Sequence, residues 1–102
     1  MKKIIDGKIY NTETATEVCS YEYGSGRMDF SYCKETLYMT PRGAWFIHGE
    51  GGPMSKYARS VSENEWTGGE GIRVLSAEEA RRFIEANADI GTYTDYFDAQ
   101  EA

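Results

Sequence analysis

Two β-rich runs at the centre of the chain constrain the fold most. Glu35-Thr36-Leu37-Tyr38-Met39-Thr40 and Ala44-Trp45-Phe46-Ile47-His48 are separated only by Pro41-Arg42-Gly43. β-Branched and aromatic side chains suit a pleated surface, and proline and glycine suit the turn between them. The pair therefore predicts an antiparallel hairpin in the middle of a sheet. A second hairpin is read at the start: Lys3-Ile4-Ile5 and Lys8-Ile9-Tyr10 flank Asp6-Gly7, a dipeptide that tolerates the positive φ of a two-residue turn. Between the hairpins, Thr16 to Tyr23 alternates as a strand does, with Val18 facing opposite to Glu17 and Cys19.

The remaining segments complete an α+β reading. Gly24-Ser25-Gly26 reads as a flexible break, and Gly49-Glu50-Gly51-Gly52 and Gly68-Gly69-Glu70-Gly71 as two loops with turns of positive φ. Tyr57 to Val61 reads as a short strand, Trp66 as an aromatic anchor, and Ile72-Arg73-Val74-Leu75 as a buried last strand. Ser76 followed by Glu79 has capping-box spacing, and Ala77, Ala80, Phe83, Ile84 and Ala88 recur at helical spacing. They predict one C-terminal amphipathic helix over about 77–88, too short to stand alone in water, so its Phe83 and Ile84 side packs on the sheet. The expectation is an antiparallel β-sheet of about four to six strands with that helix on one face. Residues 1–90 form a single α+β domain, and 91–102 form an acidic C-terminal segment, docked or mobile. A chain of 102 residues suits one core.

Charge narrows the function. Seventeen acidic against eleven basic residues give a net charge of −6, which disfavours direct binding to nucleic acid or anionic lipid. No run approaches the ~20 apolar residues of a membrane-spanning helix, and the start lacks an apolar leader core, so a soluble chain is expected. The negative charge is concentrated late: residues 60–102 hold ten acidic and three basic groups. Such a segment is either a solvated tail or an interaction surface for a basic partner.

Catalytic and metal chemistry find little support. Cys19, Cys33 and His48 are widely spaced and lack a fourth partner, so no metal set, no cofactor and no catalytic residue is expected. Both cysteines sit in strand-like context and read as free, buried thiols in a reducing compartment. The glycine stretches lack a Gly-Lys-Ser/Thr ending, and each contains a glutamate that would repel phosphate. His48 beside Glu50 has no nucleophile at a diagnostic spacing.

Tyrosine is abundant, with eight residues, and part of that set suits an interface, where Tyr and Trp give large contact area with few rotors. Aromatic and acidic residues interleave most closely near the C-terminus. The candidate partner-binding residues are Glu78, Glu85, Asp89, Tyr93, Asp95, Tyr96 and Asp98. If the last stretch is helical, Asp95 and Asp98 stand one turn apart, about 5 to 6 Å between Cβ atoms, a spacing comparable with successive phosphates.

Glu35-Thr36-Leu37-Tyr38, Gly43-Ala44-Trp45-Phe46, Gly49-Glu50-Gly51-Gly52 and Tyr57-Ala58 together resemble a family of small proteins carried by phages and other bacterial mobile elements, over about Ile4 to Ala88. That family's genes sit among accessory factors that include anti-CRISPR inhibitors. The resemblance implies an anti-CRISPR-type accessory protein in the cytoplasm of a bacterial host cell, and the acidic, aromatic-interleaved stretch of residues 60–102, whose end beyond Ala88 lies outside the match, adds the expectation of a non-enzymatic inhibitor of the DNA-mimic type. Its partner is then a CRISPR-Cas effector with a basic nucleic-acid-binding surface. An alternative is a small-molecule or peptide-binding module with a pocket around Trp45, His48 and Gly49 to Gly52.

Overall fold

The computed structural model describes residues 1–24, 29–63 and 65–102. It is an α+β fold of antiparallel sheets and two C-terminal helices. In chain order the elements are β1 (Lys2–Ile5), β2 (Lys8–Asn11), β3 (Thr16–Tyr23), β4 (Cys33–Met39), β5 (Trp45–Gly51), β6 (Arg59–Ser62), β7 (Glu65–Thr67), β8 (Gly69–Leu75), α1 (Ala77–Asn87) and α2 (Ile90–Tyr96). The principal sheet has the order β3-β4-β5-β8, and the pairs β1-β2 and β6-β7 form two further small sheets. The four strands of the principal sheet fall within the expected four to six, and the other four described strands form the two small pairs outside it. Of the break read at Gly24-Ser25-Gly26, Ser25 and Gly26 lie outside the described residues.

Both hairpins form where their turn residues place them. Asp6 and Gly7 adopt φ of 52° and 74°, the left-handed pair that a two-residue turn with native twist requires. The β4–β5 turn is closed by Thr40, whose N–H donates to Ala44 O at 2.8 Å and whose Oγ1 accepts from Ala44 N–H at 2.9 Å. Gly43 supplies the one positive φ in that turn, 86°.

Strand alternation divides the principal sheet into two faces. Leu37, Trp45, Ile47 and Leu75 share one face and meet Ala80 and Ile84 of α1 in the core. Phe46 and Tyr38 lie on the other face, stacked at 5.2 Å, and Tyr10 from the β1–β2 hairpin meets Phe46 edge-on at 5.6 Å. Phe46 is wholly buried as a result. The N-terminal hairpin therefore covers one side and the helices the other.

Four local expectations are corrected. The glycine-rich stretches are not loops: Gly49 and Gly51 lie within β5, Gly69 and Gly71 within β8, and Gly49 pairs with Gly71 and Gly51 with Gly69. None of these four has a positive φ. Close approach is what glycine provides here, since a Cβ on Gly49 would overlap the Tyr57 ring and one on Gly51 would overlap Ser55. Val18 does not simply alternate with its neighbours: a bulge between Glu17 and Cys19 lets both Val18 and Cys19 pack against the core. Finally, β8 is an edge strand with only Leu75 buried, and Trp66 is 59% exposed on the isolated β6–β7 hairpin, so it anchors nothing.

Candidate protein-binding surface

The helical end is built from its caps outward. Ser76 Oγ accepts from Glu79 N–H at 3.1 Å while Glu79 Oε1 accepts from Ser76 N–H at 2.9 Å, completing the expected capping box. These bonds hold the Glu79 carboxyl below its ordinary range. Helix α1 then turns Ala80 and Ile84 into the core and leaves Glu78, Arg82 and Glu85 exposed. Arg81 bridges the two glutamates, pairing with Glu78 and reaching Glu85 Oε2 through Nη1 at 2.9 Å. Arg82 Nε lies 3.3 Å from Glu78 Oε1. The Arg81 hydrogen bonds depress the Glu78 pKa.

Asp89 has a structural duty that the charge count does not reveal. It caps α2, with Oδ1 accepting from Thr92 N–H at 2.8 Å, and that bond lowers its pKa. The following aromatic residues are also occupied. Tyr96 meets Trp45 edge-on at 5.5 Å, Phe97 stacks on Trp45 at 5.6 Å, and Tyr93 lies 5.9 Å from Phe97. Tyr93 and Tyr96 are half-buried in this cluster, so most of their surface packs inside the protein.

The structure thus separates the candidate residues by role. Asp95 and Asp98 are exposed, and neither joins an ion pair or side-chain hydrogen bond among the described residues. They do not stand one turn apart on a helix, however. Helix α2 ends at Tyr96, and Phe97 leaves it in extended conformation (φ −139°, ψ 152°) to place its ring on Trp45. Asp98 therefore follows the helix instead of continuing it. Across residues 76–102 seven carboxylates face two arginines, so this end of the molecule carries most of the net charge.

The alternative pocket does not assemble as read: Glu50, Gly51 and Gly52 line a cavity of about 270 Å³ with Tyr32, Gly69 and Glu70, but Trp45 and His48 are not part of it. Trp45 and His48 differ by an odd number of residues on one strand and project to opposite faces, a parity already readable in the sequence. Trp45 is under the helices, whereas His48 Nε2 pairs with Glu70 Oε2 at 3.0 Å across to β8. Cys19 and Cys33 are free thiols on the opposite face from His48. Burial raises both thiol pKa values, and for Cys33 the neighbouring Glu35 adds to the effect.

One cluster was not anticipated. Glu35 is buried on the helix-side face, where its Oε2 accepts from the Tyr57 hydroxyl at 2.6 Å and its Oε1 lies 2.9 Å from Lys56 Nζ. Arg73 Nη2 stands 3.7 Å from Oε2. Burial alone would raise the Glu35 pKa, but the bonds from Tyr57 and Lys56 and the two positive charges outweigh it and leave the carboxyl below its ordinary value. Burial, joined by the same contact, pushes the Tyr57 hydroxyl pKa up. The available signal was an acid two residues from both Cys33 and Leu37 on a strand whose matching face is buried. This cluster fastens the 52–58 segment over the glycine floor of β5.

No helix among the described residues is long and apolar enough to cross a membrane. Comparison of the chain with profiles of known protein families, with curated protein sequences and with solved structures finds no match.

Proposed function

We propose that this protein is a non-enzymatic inhibitor whose acidic helical end docks on a basic nucleic-acid-binding surface. The observation that carries this reading is the exposed position of Asp95 and Asp98, free of ion pairs among the described residues, on a helical end that also exposes Glu78 and Glu85 and holds seven carboxylates and two arginines. Complementary fields accelerate encounter and make the complex salt-sensitive. Because Tyr93 and Tyr96 belong to the core, docking relies on charge and on the shape of the helical end more than on aromatic anchors. The resemblance to phage and mobile-element proteins names the class of partner: a CRISPR-Cas effector of a bacterial host, met in the cytoplasm. Affinity capture with the tagged protein from a CRISPR-bearing bacterial lysate, at low and raised salt with mass spectrometry, tests the proposal. The expected result is a nucleic-acid-binding effector retained at low salt and released as salt rises. Recovery of no such effector from a lysate verified to contain one would overturn it.

A further inference from the structure

A second surface, of opposite charge, lies at the N-terminal hairpin. A cleft of about 680 Å³ runs between β2, which contributes Lys8, Ile9 and Tyr10, and the β4–β5 turn, which contributes Thr40, Pro41 and Arg42. Three consecutive residues of one strand line it, so the cleft follows the edge of that strand and not merely one of its faces.

That edge is open. Among the described residues, strand β2 pairs with β1 alone. In a hairpin with the two-residue Asp6-Gly7 turn, Ile5 and Lys8 exchange both backbone hydrogen bonds, and the pair beyond them, Ile4 and Ile9, exchanges none. The Ile9 N–H and C=O therefore point away from β1, a ready template for another strand. Both walls are held in place without a ligand. Tyr10, only 5% exposed, is packed on Phe46, and the Thr40–Ala44 bonds close the facing turn. Preformed walls lower the ordering cost of binding.

Electrostatics select the occupant. Lys8 and Arg42 are both exposed at the cleft, and neither makes an ion pair among the described residues. Lys2 and Lys3 on the same hairpin reinforce the positive field, against the single carboxylate of Asp6. Ile9, 65% exposed, adds an apolar side chain on the opposite face of the strand from Lys8. We propose that this cleft binds an extended acidic peptide segment of a partner protein, which adds to β2 as a further strand. Backbone bonds to Ile9 supply alignment, acidic side chains meet Lys8 and Arg42, and an interleaved apolar residue covers Ile9.

Fluorescence anisotropy with a labelled peptide, acetyl-Glu-Val-Glu-Val-Glu-amide, tests this directly. The proposal expects saturable, salt-sensitive binding and no binding of the lysine counterpart, acetyl-Lys-Val-Lys-Val-Lys-amide. Lys8→Glu with Arg42→Glu should weaken the interaction by at least about tenfold, while the unfolding midpoint stays close to the parent's because both side chains are exposed. N-methylation of the two valine amides should abolish binding, which separates strand addition from simple ion pairing. Equal binding of the lysine peptide, unchanged affinity in the double variant, or indifference to N-methylation would each overturn the proposal. So would sedimentation showing self-association that Lys8→Glu and Asp98→Lys each abolish, since the occupant would then be the acidic end of a second copy.

Discussion

The Tyr57 hydroxyl donates to Glu35 Oε2 at 2.6 Å across 22 residues of chain, and the same ring lies over Gly49. One side chain thus satisfies a buried carboxylate and fills the space that glycine leaves on β5. Removing only the hydroxyl isolates the first role. Tyr57→Phe should cost about 1.5–3 kcal/mol, the range for a hydrogen bond to a charged group, read as a lower urea midpoint with unchanged slope. Gly49→Ala attacks the second role, because its methyl displaces the ring, and it should lower the midpoint as well.

The Glu35 cluster also sets a pH dependence. Its carboxyl pKa lies below the ordinary value of 4.5 in the folded protein, so the native state favours the ionised form. This stabilisation is fully present above about pH 5 and is lost as pH falls through the folded pKa. Thermal unfolding between pH 6 and pH 3 should show a falling midpoint. In Glu35→Gln the fall should be shallower, from a lower starting value. An equally steep fall in the variant would assign the acid sensitivity to other carboxylates.

Phe97 and Trp45 stack at 5.6 Å, which makes the segment beyond residue 90 part of the core. Phe97→Ala should destabilise the protein by about 3 kcal/mol, the lower end of the range for a buried aromatic, because the ring is only half-buried. Trp45 emission should shift to longer wavelength as water gains access. A stability loss below about 0.5 kcal/mol would show that α2 is not docked in solution.

The capping box at Ser76 and Glu79 is a smaller but separable contribution. Ser76→Ala should cost about 1 kcal/mol by leaving the Glu79 N–H without its side-chain acceptor. Chemical denaturation resolves a change of that size.

Legibility followed local chemistry. The Asp6-Gly7 turn, the Pro41-Arg42-Gly43 connection, strand Thr16–Tyr23 and the Ser76 cap each have side chains that dictate their own backbone, so they stood out in the sequence. Paired glycine strands did not, because their reason for being glycine is Tyr57 and Ser55, which arrive from a later segment. Trp66 misleads for a related reason: size suggests burial, but the β6–β7 hairpin offers no sheet to bury it. At the candidate surface, the sequence revealed the excess of carboxylates but not their division of labour. Asp89 was indistinguishable from Asp95 until Thr92 was seen to be its partner, and Tyr93 and Tyr96 resembled interface residues until Trp45 and Phe97 were placed beside them.

In the proposed inhibitor, exposed carboxylates at the helical end compete with nucleic acid for a basic surface. The most direct test is a displacement titration on the captured effector loaded with labelled nucleic acid, comparing the parent with Asp95→Lys/Asp98→Lys. Asp89 is left intact because it caps α2, and Glu78 and Glu85 because they pair with Arg81. The parent should displace the nucleic acid, less effectively as salt rises. The double variant should need at least about tenfold more protein at an unchanged unfolding midpoint. Displacement by the variant at the same concentration as the parent would contradict it.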